Sequence, residues 1–313
     1  MKRIVFILIV IPFTFIVLAQ VSYNVSNKLI VSNKDCELSK LVLVLPVPES
    51  NQYQTISNLK ISEGQIITVE NTGNKYLRDI NTSSLPGKGS SYTLSCDFDV
   101  TLYPMTVDRS QFQTIYSYDT SSDIYKKYTV SDGEYINVNN GIIKAKADIL
   151  WKESNENYLD YAYACYLYVA ENFNYLNPNT GLHPIADLLA AGGGDCGNLA
   201  SIYINLLRAK GIPAKHIITV RPDGSYHVWA DFYLEKYGWI PVDVNMKLDY
   251  PNGNYFGYCK GDGIVMSVDI CNNMEIETNN YYNGVILQTY YYWYWYASKG
   301  SILLNHQVES LKY

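Results

Sequence analysis

The period of the apolar residues changes near Glu156, and that change limits the folds open to the chain. Before it, from residue 21 to about 150, short apolar runs such as "KLVLVLPVP", "GQIITVEN" and "SYTLSCDFDVTLYPM" are broken by Asn, Gly, Ser and Pro. Such runs read as strands, and several in succession predict a β-sandwich or a related all-β module. After it, Leu159, Ala162, Tyr163, Tyr166, Leu167 and Ala170 recur at the spacing of one helix face. The polar segment "LWKESNENY" is the natural boundary. Residues 21–150 are therefore expected to form a β-rich domain, and residues 151–313 an α+β domain with helices packed on an antiparallel sheet.

A second stretch carries chemistry. In "GGGDCGNLASIYINLLRAKGIPAKHI", one cysteine follows a glycine run and opens a helical pattern of Leu199, Ile202, Tyr203, Leu206 and Leu207, closed by Gly211 and Pro213. Unpaired N–H groups and the dipole at a helix N-terminus favour a thiolate, so Cys196 is placed to be a nucleophile. Gly192, Gly193 and Gly194 leave little bulk upstream, which reads as room for a substrate backbone. Asp195 reads as a helix cap whose charge opposes the thiolate. The plainer reading of Cys196 is a small buried hydrophobe, and its partners have to decide.

A thiol nucleophile needs a base, and the base needs a group to orient it. Of the four histidines, His183 precedes Pro184 and reads as the start of a helix, His216 as an outward-facing residue of an apolar strand, and His306 lies near the tail. His227 opens "HVWADFYLEKYGWIPVDVN", two strand-like runs joined at "EKYG", and Asp243 ends the second run. Neighbouring antiparallel strands would put His227 and Asp243 side by side, with Asp243 accepting from the imidazole Nδ1–H. Taken singly, a strand histidine and a strand-end aspartate are ordinary structural residues.

The stretch from Gly194 to Asn245 resembles the core of the transglutaminase-like superfamily of thiol enzymes. A cysteine opening a helix, "LLRAKGIPA", a strand beginning His-x-Trp, and "GWIPVD" follow in order and without gaps. "ACYLYVAENFNY" resembles the helix before the cysteine, and "NYFGYCKGDGIVMSVD" the region after the acid in secreted prokaryotic members; "DVN" stands where many members have Asp-Pro-Thr. The resemblance implies a papain-like, transglutaminase-like α+β core in which Cys196 is the nucleophile, His227 the base and Asp243 the orienting acid. It implies acyl transfer from peptide or glutamine carboxamide bonds through a thioester. What attacks the thioester decides between cysteine protease, deamidase and transglutaminase, and hydrolysis is the expected outcome. Tyr175 and Trp151 both stay open as a second oxyanion donor. The alternative from another class is an inactive transglutaminase-like binding or envelope-structural module.

The N-terminus, "MKRIVFILIVIPFTFIVLAQ", has the basic start, apolar run and small Ala19 of a secretory signal peptide over residues 1–19, with a retained anchor as the other reading. The expected location is secreted, periplasmic or in the cell envelope. There, the six cysteines permit disulfides: Cys259 and Cys271 suit a bridge, whereas Cys165 suits core packing. With no closely spaced cysteine pair, phosphate loop or dinucleotide fingerprint, no cofactor and no metal are expected. A net charge of −6 without a long basic run after the signal argues against nucleic acid. It leaves a protein or peptide substrate as partner, with no membrane contact beyond the signal segment. Of the 31 tyrosines, several cluster in "TYYYWYWYASKG", an amphipathic strand or, on the sharper reading, a stacking platform.

Overall fold

The computed structural model describes residues 20–176, 181–270, 274–282 and 292–313. The chain begins with six strands, β1 (Val21–Asn33), β2 (Leu38–Val47), β3 (Gln54–Ile61), β4 (Gln65–Thr68), β5 (Lys75–Asn81) and β6 (Ser91–Leu102). After the short β7 (Met105–Thr106) come helices α1 (Asp123–Tyr128), α2 (Gly141–Glu153) and α3 (Tyr158–Asn172). The strand β8 (Asn174–Tyr175), α4 (Ile185–Ala191), β9 (Gly193–Gly194) and α5 (Cys196–Arg208) follow. Next are β10 (Ala214–Val220), β11 (Tyr226–Leu234), β12 (Gly238–Val242), α6 (Val244–Asp249), β13 (Tyr258–Cys259) and β14 (Ile264–Val268). The pair β15 (Met274–Glu277) and β16 (Asn280–Tyr282) precedes β17 (Tyr292–Ala297) and β18 (Ile302–Lys312).

Two antiparallel four-stranded sheets, ordered β18-β1-β6-β3 and β17-β2-β5-β4, make the β-rich unit. β1 and β6 alternate as half-exposed strands do, burying Val25 opposite Phe98 and Leu29 opposite Leu94, with Val31 and Val100 also buried. β2 is apolar on both faces for a reason: Leu41, Leu43 and Leu45 enter the main core, while Val44 packs under Met274 and Ile276 of the β15–β16 pair. A third antiparallel sheet, ordered β12-β11-β10-β14, carries the helices on the face of Val228, Ala230, Phe232 and Leu234. The architecture is α+β, as expected, with an all-β sandwich first.

Strand pairing departs from the division at residue 150. β17 and β18, expected within the 151–313 unit, pair instead with β2 and β1 and complete the sandwich. Helices also start earlier than Glu156. In α2 the buried face is Ile143, Ala147 and Leu150, but exposed Ile142 and Ile149 blur the stripe in sequence. Within β17, the described part of the aromatic run, Trp293 and Trp295 stack with ring centroids 4.8 Å apart, Trp293 packs on the main core and Tyr294 on the Val44 cluster, so both faces of the strand pack. The signal segment and Cys271, hence the Cys259–Cys271 bridge, lie outside the described residues. Cys165 is core packing as expected, and burial pushes its thiol well above the usual range.

α5 organises the second unit because every residue from Gly197 to Arg208 is buried. Its apolar residues meet the other helices and the sheet. Four polar residues at helical spacing find partners inside, whereas the buried Tyr203 hydroxyl has none among the described residues. Asn198 bonds to the Gly181 carbonyl, Ser201 to the Gly197 carbonyl, and Asn205 to the Tyr135 carbonyl. Arg208 reaches the Ala214 and Val130 carbonyls and both oxygens of Asp269, at 3.0 and 2.9 Å. Burial pushes the Asp269 carboxyl up, and Arg208 with His216 more than reverses that, holding it far below the usual range. A carboxyl depressed in the folded state contributes stability above the ordinary carboxylate range that is lost as pH falls. Arg208→Met, which strands Asp269 without its cation, is expected to cost roughly 3–5 kcal/mol. Urea unfolding at neutral pH checks it, and the deficit of the variant should shrink toward pH 3.

Candidate active site

Cys196 opens α5, and the structure shows what the preceding glycines do. Gly192, with φ of 73°, ends α4 in the left-handed conformation. A Cβ on Gly193 would stand 2.0 Å from the Asn174 carbonyl oxygen, and one on Gly194 2.4 Å from Asn198 Cβ. The space at Gly193 is filled by the Asn174 backbone and that at Gly194 by the Asn198 side chain, while Gly192 has open space; β8 and β9 pair in parallel, Asn174 with Gly193 and Tyr175 with Gly194. The expectation of room for a substrate backbone is corrected at Gly193 and Gly194. Asp195 caps the helix, its Oδ1 accepting from the Asn198 N–H at 3.0 Å and from Asn198 Nδ2 at 2.9 Å. Asn198 in turn accepts from the His183 N–H at 2.9 Å. Cys196 itself is half-buried at the end of an otherwise enclosed helix.

Cys196, His227 and Asp243 come together. His227 Nε2 and Asp243 Oδ2 are 2.6 Å apart, and the imidazole also shares a hydrogen bond with the Cys196 thiol. The nitrogen facing the acid is Nε2, not the expected Nδ1, which leaves Nδ1 for the sulfur. Burial alone would depress the His227 pKa; the Asp243 carboxylate and then Cys196 overcome it and raise the group to about 10. Asp243 is also the turn residue its position suggested. Its Oδ1 caps α6 by accepting from the Met246 N–H at 2.9 Å, so its two oxygens hold one partner each.

Beside His227 opens a cavity of about 370 Å³ walled by Trp229, Met246, Tyr250 and Tyr258, with Arg221 and Asp262 toward its rim, within the size range of small-ligand sites. The two open oxyanion donors separate. Tyr175 lies on the Cys196 side through β8–β9, whereas Trp151 packs on Tyr161, whose hydroxyl bonds to the Leu206 carbonyl near the far end of α5. His216 is not outward-facing. It is fully buried, 2.9 Å from Ser201 Oγ, because Ser201 lies on the polar stripe of α5. His306 bonds through Nδ1 to the hydroxyl of Tyr226, the neighbour of His227. Asn198 escaped sequence reading, because a polar residue in the first turn of a helix passes for a solvated one.

Residues 144–244 match the family model of the transglutaminase-like superfamily, a span that contains all three side chains. A crystal structure of a candidate cysteine protease from Cytophaga hutchinsonii superposes with a TM-score of 0.62 and 13% identity, over 96% of this chain and 93% of that one. The periplasmic domain of TgpA from Pseudomonas aeruginosa aligns with 75% of this chain and 90% of that one, at TM-score 0.39 and 14% identity. An uncharacterized protein of Haemophilus influenzae is 25% identical over 238 residues, which are 64% of this chain and 62% of that protein. The chain thus spans somewhat under two thirds of that relative. Residues 144–244 are thus similar to the transglutaminase-like superfamily, and the fold is shared with the Cytophaga hutchinsonii structure.

If the glycines serve packing, Gly194→Ala must push Asn198 aside and disturb the turn that presents Cys196. The expected cost is roughly 1–3 kcal/mol of stability, as for other overpacked sites. Alkylation of Cys196 by iodoacetamide should slow with it, and thermal melts alongside alkylation rates read both effects.

Proposed function

We propose that the protein is a thiol hydrolase of peptide or side-chain amide bonds. The observation that carries this reading is His227 held between Asp243 and the Cys196 thiol. A charged imidazole beside a sulfur stabilises the thiolate, and a buried carboxylate behind it keeps the ring charged and oriented. The sulfur attacks the amide carbon, forming a tetrahedral adduct whose oxygen accepts from the Cys196 N–H, one of the helix N-terminal donors without an intrahelical partner. Tyr175 is the better placed second donor. His227 gives its proton to the departing nitrogen, the C–N bond breaks, and a thioester remains. Water enters from the cavity beside His227, loses a proton to the imidazole and attacks the thioester. The acid leaves and the thiol is restored. The N-terminal basic and apolar segment supports a site of action outside the cytoplasm.

The test is incubation with a peptide library and a primary amine, read by mass spectrometry for cleavage, deamidation and amine incorporation. Cleavage or deamidation should exceed amine incorporation and vanish in Cys196→Ala; dominant incorporation makes the protein a transglutaminase. Because the general acid is His227, turnover should fall as pH rises through about 10.

The double duty of Asp243 sets a graded expectation. Asparagine offers one acceptor for two donors, so Asp243→Asn should keep part of the activity while losing about 1 kcal/mol of stability if the cap is the bond that yields. Asp243→Ala loses both bonds, and its turnover should drop by about 10²–10⁴. Steady-state kinetics and urea melts of the two variants check this. Wild-type turnover in both folded variants would leave Asp243 a cap and nothing more.

A further inference from the structure

Along β11, every second residue faces the helical core, and the alternate face does something else. Trp229 belongs to a separate buried cluster with Tyr53, Ile217, Cys259 and Val265. Tyr53 comes from the sandwich, immediately before β3, and its ring meets that of Trp229 edge-on at 5.4 Å and 89°. Below them lies Asp231, which is 1% exposed. Its Oδ1 accepts from the Tyr53 hydroxyl at 2.5 Å and from Trp229 Nε1–H at 3.2 Å, and its Oδ2 from Gln52 Nε2 at 3.4 Å. The Trp229 ring in turn stands 6.2 Å from the His227 ring and walls the cavity.

A buried carboxylate is a poor choice for stability alone. Burial pushes this one up to about 6, against the pull of Lys215 across the strand pair. An apolar side chain would pack here without that cost. Two of the three groups that donate to Asp231 come from the sandwich, and the third is the indole in the cleft wall.

We propose that Asp231 and Tyr53 are positioning residues: they hold the Trp229 indole against His227, so the cleft takes its working shape only with the sandwich docked. The proposal rests on His227 acting as the acid–base group of a Cys196 nucleophile. A displaced indole admits water to the His227–Asp243 pair and weakens the field that sustains the charged imidazole.

The experiment uses the full chain labelled with ¹⁵N at its tryptophan indoles. The Trp229 signal is the one missing in Trp229→Phe. It should move in Tyr53→Phe and Asp231→Ala, and return close to its wild-type position in Asp231→Asn, whose side-chain oxygen still accepts. Alkylation of Cys196 by iodoacetamide, which needs no substrate, should slow about ten- to a hundredfold in Asp231→Ala, less in Tyr53→Phe, and recover in Asp231→Asn. Tyr53→Phe keeps the ring and should melt within a few degrees of wild type, so its effect is not unfolding. An indole signal indifferent to Tyr53→Phe, or wild-type alkylation in both Tyr53→Phe and Asp231→Ala, overturns the proposal. A wild-type Cys196 no more reactive than an ordinary thiol sinks the hydrolase reading instead, and the indole signals then decide whether the strut exists.

Discussion

A helix with no wet face is the constraint on which the rest of this molecule depends. α5 must be wrapped on every side, and Asn198, Ser201, Asn205 and Arg208 along it find their partners inside the protein. The sheet of β10 and β11 takes one side; the other helices take the rest. Carbonyls of Val130, Tyr135 and Gly181 are drawn in to meet its polar residues. Enclosure leaves the N-terminal end as the exit. The half-buried sulfur of Cys196 lies there, where backbone donors are unfilled by the geometry of helices. Core packing and the placement of the proposed nucleophile are thus one arrangement.

The parts of the fold legible in sequence are those written in local period and local punctuation. β6 reads correctly because its alternation survives; α3 reads correctly because its apolar positions are not interrupted. α2 was obscured by two exposed isoleucines. The polar stripe of α5 would pass for a solvated face, since nothing in a sequence says whether water or a carbonyl satisfies an asparagine. His216 was misplaced for the same reason. The cysteine, histidine and aspartate were legible because their residue types are needed together, whereas Tyr53 and Asp231, 178 positions apart, carry no mutual signal in the chain. Which ring nitrogen meets Asp243 is a matter of side-chain placement that no pattern encodes.

Several residues here hold two jobs, and each pairing explains an identity that one job would leave loose. A cap alone at Asp243 could be Ser, Thr or Asn, and an imidazole partner alone could be Asn; two separate acceptors on one short side chain require a carboxylate. Asp195 likewise caps α5 and fixes Asn198, which ties the helix start to the His183 backbone. The negative charge of Asp195 next to the sulfur, an awkward feature by itself, belongs to the scaffold that aims the thiol.

The return of β17 and β18 to the sandwich has a consequence for the birth of the protein. β1 leaves the ribosome early, yet its hydrogen-bonding edge waits for β18, which emerges only after the segments that carry Cys196 and His227. β18 does more than close a sheet: His306 meets Tyr226, and Ser310 Oγ bonds to the Pro222 carbonyl, both on the hairpin that presents His227. Contacts of such long sequence separation form late, because their loop-closure entropy is spent before they repay it. A nascent chain therefore carries Cys196 and His227 well before it can brace them against each other, and their arrangement matures only once β18 has emerged.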